Sequence, residues 1–420
     1  MTTLKRVVVT GLGALTPIGN NVPDFWEAML AGVSGAGPIT HFDASKFKTQ
    51  FACELKGYQP SDHFDRKEAR KFDLYSQYAV VAAREAIKDA QLSLDTEDKD
   101  RIGVVLGVGI GGILSLEKEV SDFALGDGTP RFSPFFITKM IANMASGHIA
   151  MEYGFRGPNY ICTSACASSN TAMASAIDQI RLGRANIMIT GGAEAPICGS
   201  GIGGFNSMHA LSTRNDDPQT ASRPFSKSRD GFVMGEGSGC LVLEELEHAL
   251  ARGAKIYAEI GGIGASSDAY HITASHPEGL GAILSMQRAL DDAGLTINDI
   301  DYINVHGTST PVGDVSEAKA IVELFKEQAY RLNISSTKSM TGHLMGAAGA
   351  VEGIATVLAV YHDTVPPTIN HADDDEDEAI DNKLNFTFNK PQKRTIRAAL
   401  SNTFGFGGQN GSIIVKKYQP

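Results

Sequence analysis

The sequence predicts a mixed α/β enzyme fold on three observations. Runs of β-branched and aliphatic residues end in glycine without polar alternation: RVVVTG from Arg6, RIGVVLG from Arg101, ANIMITGG from Ala185, AEIGG from Ala258 and DYINVHG from Asp301. Such runs read as strands buried on both faces. They alternate with Ala-rich stretches of helical propensity. The two halves also resemble each other in pieces. RVVVTGLGALTPIG matches YAEIGGIGASSDAY from Tyr257, NYICTSACASSNTAMASA from Asn159 matches NISSTKSMTGHLMGAAGA from Asn333, and ANIMITGGAEAP matches IRAALSNTFGFGG. The offsets differ, which excludes a solenoid of fixed period. A duplication with unequal insertions and a chance recurrence of glycine-ended strands both fit these fragments.

Composition narrows the class. A chain of 420 residues suggests two or three structural units, and its 42% hydrophobic and 20% charged content excludes disordered and fibrous proteins. A net charge of −11 argues against nucleic acid as the main partner, since phosphate needs a basic face. No apolar run approaches the roughly 18 residues of a membrane span. The N-terminal MTTLKRVVVTGLGALTPIG reads as a first strand and turn rather than a signal peptide, so a cytoplasmic location is expected. Five cysteines with no CxxC pair fit neither a disulfide framework nor a thiolate zinc site.

Two charge runs need a reading. HADDDEDEAID from His371 lacks the glycine and glutamate spacing of an EF-hand loop and reads as solvated. In DRKEARK, Arg66 with Arg70 and Lys67 with Lys71 fall one helical turn apart. This is either an ordinary solvated face or a docking patch for an acidic partner.

The chemistry centres on Cys166, in ICTSACASSNTAMASA, where a strand runs into an Ala-rich helix. A thiol at a helix N-terminus feels the positive end of the dipole, which predicts a pKa lowered toward neutral. Its small neighbours leave room for an acyl group and for a backbone N–H at a developing oxyanion. A buried structural cysteine is the commoner fate. His306 in VHGTSTPVGD and His343 in STKSMTGHLMGAAGAVEG also stand on glycine-flanked turns after strands, and together with Cys166 they form a nucleophile-and-base pattern. The C-terminal NTFGFGGQNG is a glycine loop able to bring backbone N–H groups close to a substrate.

These motifs, with SRPFSKSRDGFVMGEGSG from Ser222, occur in the order found in the β-ketoacyl-acyl carrier protein synthases, and the resemblance spans essentially the whole chain. It is nearest to the discrete, long-chain elongating class, synthase II. It implies a thiolase-like fold of two duplicated halves in five layers, αβαβα, with 1–260 carrying the nucleophile and 261–420 the two histidines and the glycine loop. It implies a homodimer acting on an acyl carrier protein, with no metal and no diffusible cofactor, the phosphopantetheine arm belonging to the carrier. Cys166 would take the acyl chain. His306 and His343 would stabilise the enolate left when malonyl-carrier protein loses CO2, with Lys338 and Glu352 completing the network around His343. The N–H groups of Cys166 and Phe404 would hold the oxyanion, a placement worth about 3–4 kcal/mol per donor.

By the same resemblance Phe404 gates an acyl pocket lined by Ile110, Gly201 and Phe205, while Thr273, Thr308 and Thr310 bind the pantetheine amides. Phe135 and Phe136 reach across the dimer, and Arg66, Lys67, Arg70 and Lys71 receive the carrier. Two departures stand out: Gln409 where Thr or His is usual, and His209 where Arg is common. A thiolase would need a second catalytic cysteine beyond Cys240, the last one here. A priming synthase would carry Asn where His343 stands, and a chain-length partner subunit would lack Cys166. A polyketide-type ketosynthase and a non-catalytic carrier-binding scaffold are the alternatives.

Overall fold

Ten strands absorb the apolar runs in the computed structural model, which describes residues 4–419. In chain order they are β1 (Val7–Leu15), β2 (Ile102–Gly107), β3 (Asn159–Cys162), β4 (Ile187–Glu194), β5 (Gly237–Glu245), β6 (Ala258–Ser267), β7 (Tyr302–Asn304), β8 (Asn333–Ser335), β9 (Ala398–Gly405) and β10 (Gln409–Lys416). They hydrogen-bond in the order β8-β7-β9-β10-β6-β1-β5-β4-β2-β3. Outward from the middle, the first half runs β1-β5-β4-β2-β3 and the second β6-β10-β9-β7-β8, the same order of first, fifth, fourth, second and third strand. Directions repeat too: the second strand is parallel to the third and fourth, and the fifth is antiparallel to both neighbours. Chance recurrence of glycine-ended strands does not produce this, so the matched fragments mark a duplication. The halves join where Val7–Val9 pair antiparallel with Ile260–Ala258. A division at 260/261 would cut β6, so the second repeat opens at Ala258, slightly before the boundary expected from sequence.

Five helices define the layers: α1 (Leu74–Asp89), α2 (Ser168–Arg181), α3 (Leu280–Ala293), α4 (Pro311–Phe325) and α5 (Ala348–His362). α1 covers the outer face of β1, β5 and β4, while α3 covers β6 and β10 with α4 against it. Between the two half-sheets lie α2 and α5, each touching strands of both halves. The apolar core follows these layers, one cluster outside each half-sheet and one around the central pair.

Composition explains the central position. α5 reads AGAVEGIATVLAVYH and is buried on every side from Ala348 to Val360. A helix apolar all round belongs in an interior, and its small residues let two sheets close on it. The segment Met345–His362 is in fact long and apolar enough for a membrane span by composition, contrary to the expectation from sequence, but it is almost wholly buried between the sheets.

This layering positions the site. Cys166 follows β3 at the start of α2, His343 follows β8 shortly before α5, and His306 follows β7. All three therefore leave the carboxyl ends of parallel strands, where open α/β sheets bind ligands. The approach of α2 depends on Gly107, where a Cβ would stand 2.4 Å from the backbone of Ser168 and Ser169. Gly107→Ala is expected to cost about 2–3 kcal/mol by forcing that helix off the sheet. Gly147, in the helix Met144–Tyr153, has open space around its Cα, so Gly147→Ala should be neutral or stabilise by up to about 1 kcal/mol. Urea denaturation of the two variants checks the pair.

Candidate active site

Hydroxyls of the TSACASSNT motif hold the turn that presents Cys166. The Ser164 N–H donates to Ser168 Oγ at 2.9 Å, and Ser168 Oγ donates to the Ala165 carbonyl at 2.6 Å. Thr163 Oγ1 donates to the Val108 carbonyl at 2.9 Å, and Ser164 Oγ lies 2.7 Å from Thr171 Oγ1. These bonds sustain a left-handed Ala165 (φ +50°), a conformation costing roughly 1–2 kcal/mol for a residue with a Cβ. The resulting thiol is buried.

His343 is clamped by the segment around Met234. Its N–H donates to the Val233 carbonyl at 2.7 Å, and its carbonyl accepts the Gly235 N–H at 2.9 Å. Its Nε2 lies 3.0 Å from Cys166 Sγ. The His306 ring stands nearly perpendicular to that of His343, centroids 5.3 Å apart. The ligating atoms of Cys166, His306 and His343 fall within 4.8 Å of one another, and among the described residues this is the one cluster of metal-ligating type. Lys338 and Glu352, both buried, form an ion pair behind His343. Removing one member of such a pair would leave a buried charge unpaired, at about 3–5 kcal/mol.

Two carboxylates that the sequence reading missed fix these turns. Glu317, on α4, accepts the N–H groups of His306 and Gly307 at 2.9 and 2.8 Å. Glu194, at the end of β4, accepts those of Gly109 and Gly111 at 2.8 and 3.0 Å, of Ile110, and of Gly346 at 3.1 Å. It thereby ties a loop of the first half to the turn that follows His343. Burial pushes both carboxyls up to about 7 against the pull of those N–H donors. The one available signal was a glutamate closing the otherwise apolar ANIMITGGAE run.

Electrostatics correct the expectation for the thiol. Burial raises Cys166 from 9.0 to about 12, with Lys338 and the Phe406 N–H pulling the other way. A helix N-terminus returns at most about 2 kcal/mol and loses strength beyond the first turn. Cys166 precedes that turn, so burial wins and the resting thiol is protonated. Burial, then the Lys338 cation, holds both histidines well below the ordinary imidazole range, and they are neutral. In the glycine loop it is the Phe406 N–H that pulls the Cys166 thiol down, while Phe404 continues β9 in register with Asn410.

Cys166, His306 and His343 open onto a cavity of about 330 Å³ whose walls include Phe205, His209, Thr273, Thr308, Thr310 and Phe404. Ile110 and Gly201 do not line it. Ile110 is 38% exposed on the loop held by Glu194. Gly201 is fixed by helix packing, since a Cβ there would stand 2.0 Å from the Pro196 carbonyl. Phe135 is exposed and Phe136 half-buried. Arg66, Lys67, Arg70 and Lys71 are exposed and make no ion pair among the described residues, although the helix spans only Arg66–Ala69. Gln409 is exposed at the start of β10, and His209 is an exposed residue with φ +53° at the cavity wall.

A protonated resting thiol makes a direct prediction. Iodoacetamide labelling of Cys166 in the free protein should keep rising with pH through 9, and a plateau near pH 7 would show a thiolate already formed.

Comparison with known proteins agrees with this geometry. Residues 4–249 match the family described as beta-ketoacyl synthase, N-terminal domain, and residues 257–372 match its C-terminal domain. The 3-oxoacyl-[acyl-carrier-protein] synthase 2 of Staphylococcus aureus (strain COL) is 50% identical over 418 residues, covering 99% of each chain. The solved ishigamide ketosynthase/chain length factor superposes with a TM-score of 0.92 at 35% identity, over 99% of this chain and 100% of its own. A type II PKS ketosynthase, solved with its acyl-carrier protein and a hexaketide, superposes at 0.90 with 33% identity over the same shares. The fold is thus the thiolase-like one, and the chain belongs to the beta-ketoacyl synthase family.

Proposed function

We propose that this protein is a condensing acyltransferase of fatty acid elongation, a 3-oxoacyl-acyl carrier protein synthase of the second type. It joins an acyl chain held on Cys166 to a malonyl unit on acyl carrier protein. The observation that carries this reading is the 3.0 Å approach of His343 Nε2 to Cys166 Sγ, beside His306, at the cavity wall.

In the first half-reaction Cys166 sulfur attacks the acyl-carrier thioester carbonyl, and the carrier sulfur leaves. The thiol proton ends on that leaving sulfur, with His343 Nε2 in reach to relay it. This transfer answers the raised thiol pKa, because the proton needs to move only as the bond forms. The oxyanion is held by the Cys166 N–H and by a glycine-loop N–H, which we assign to Phe406 in place of Phe404. Phe404 keeps its role as the gate.

In the second half-reaction the malonyl thioester carbonyl lies against His306 and His343. With Cys166 acylated, His343 takes the Nε2–H tautomer in place of the Nε2 acceptor form that faced the thiol, and both neutral imidazoles donate Nε2–H to the oxygen without surrendering a proton, which suits an enolate. CO2 departs, the enolate carbon bonds to the acyl carbonyl carbon, and Cys166 sulfur leaves and is reprotonated. Lys338, paired with Glu352, keeps the two imidazoles unprotonated. No metal or diffusible cofactor enters this scheme. Thr273, Thr308 and Thr310 would bind the pantetheine amides, and the exposed basic patch at Arg66, Lys67, Arg70 and Lys71 would receive an acidic carrier protein. Greater identity to a synthase 2 than to the polyketide ketosynthases favours fatty acid elongation over the polyketide reading.

Homodimerisation is part of this reading. The helix Ile113–Leu125 and the segment after it leave Val120 47%, Phe123 42% and Ile137 57% exposed, an apolar face typical of an interface. Sedimentation of the native protein should give a dimer, shifted toward monomer by Val120→Asp. A monomer at micromolar concentration would remove the dimer from the account.

The activity test loads the protein with a C12–C16 acyl-carrier thioester, then adds malonyl-carrier protein. Acyl mass on Cys166, CO2 and 3-ketoacyl product are expected from the native protein, and none from Cys166→Ala. Carrier binding without adduct or CO2 would leave a scaffold instead.

A further inference from the structure

The acidic run read as a solvated loop is only partly so, and its two inward carboxylates are tied to the substrate cavity. Asp375 and Asp377 are half-buried on an irregular strap whose Glu376 forms a single antiparallel bridge with Ser226. Asp375 accepts the Ser228 N–H at 2.8 Å and Ser228 Oγ at 2.6 Å, and its carbonyl accepts the Lys227 N–H at 2.8 Å. Asp377 accepts from Nη1 of Arg229 at 2.6 Å.

Arg229 is buried, and two of its three other bonds go to residues of the cavity wall. Nε donates to the Thr310 carbonyl at 3.1 Å, Nη2 to the Pro311 carbonyl at 2.8 Å, and Nη1 also to the Ser226 carbonyl at 2.7 Å. Asp314, 3.6 Å from Nε, accepts the N–H groups of Phe225 and Ser309 at 2.9 and 3.2 Å. Between these anchors Ser309 is held at φ +68°, a left-handed conformation disfavoured for serine, and its carbonyl accepts the Gly231 N–H at 3.1 Å. The side chains of Thr308 and Thr310, which line the cavity, flank that residue with their hydroxyls 3.0 Å apart. The turn is thus determined by a guanidinium on one side and a carboxylate on the other, neither of which reaches the cavity.

We propose that Arg229, tethered by Asp377 of the acidic strap, is a positioning residue that sets the Thr308–Thr310 turn for the amide-bearing arm of the carrier-linked substrate. The assignment rests on the condensing function given above. Only a planar fork satisfies these divergent acceptors, so lysine does not replace it. The wall that Arg229 holds meets the arm and not the reacting carbons, so its loss weakens arm binding while the Cys166–His306–His343 chemistry persists.

The test compares two malonyl thioesters in wild type, Arg229→Lys and Asp377→Asn: malonyl-carrier protein, which bears the arm, and malonyl S-ethyl thioester, which has no amides. CO2 release is followed with acylated enzyme. For Arg229→Lys, KM for malonyl-carrier protein should rise about tenfold or more with kcat within about threefold, while kcat/KM for the S-ethyl thioester stays within about twofold. Asp377→Asn leaves the guanidinium in place and should move KM the same way by a smaller factor, which keeps the test usable if Arg229→Lys folds poorly. Equal losses on both thioesters would mark a purely structural role, and unchanged KM in both variants would remove the role altogether; either result overturns the proposal. Failure of wild type to release CO2 from either thioester would instead overturn the condensing function, and the role of Arg229 with it.

Discussion

The site exists because two small-residue helices are enclosed between two half-sheets of the same topology. α5 has no solvent face and α2 keeps only a narrow one at Thr171 and Asp178, so both register against strands on each side. That enclosure brings a turn of the first half and a turn of the second to within 3.0 Å at Cys166 and His343. Apolar burial drives the closure, at about 25 cal/mol per Å² removed from water, and it has no directional preference of its own. Direction comes from glycines that admit backbone at close range and from hydroxyls and carboxylates that bind the turns. Glu194 joins the halves directly, taking N–H groups from the Ile110 loop and from Gly346.

The same burial sets the chemistry. A dry site raises the thiol, lowers both imidazoles and makes each remaining dipole stronger. Neutral donors beside a developing oxyanion have more to offer there than in water. The cost is a nucleophile that does not ionise at rest, and the short contact to His343 compensates by giving its proton a path. Lys338 lies where its charge opposes protonation of both histidines, and Glu352 keeps that charge paired.

Much of this was legible in the sequence, for identifiable reasons. Strands buried on both faces announce themselves as unbroken apolar runs, and an all-apolar helix such as α5 announces an interior. Cys166, His306 and His343 stand in contiguous motifs whose small residues exist to shape the turns. Glu194, Glu317 and Arg229 were not legible in the same way: Glu194 and Arg229 act on backbone some 80 or more residues away, and nothing in the sequence around Glu317 points it back at the His306 turn. The thiol was misread because dipole position can be seen in a sequence and burial cannot. The acidic run hid two inward carboxylates among exposed ones.

The central claim is that acyl transfer at Cys166, for which His343 gives the thiol proton a path, is separable from enolate stabilisation, which needs His306 as well. Rapid-quench measurement on His306→Ala addresses it most directly, following acyl mass on Cys166 and CO2 release in the same reaction. Acylation within about tenfold of wild type with CO2 release reduced by about a hundredfold or more is the predicted result, since one oxyanion donor is worth that much. Loss of acylation as severe as the loss of CO2 would contradict the division, and would make His306 part of thiol activation.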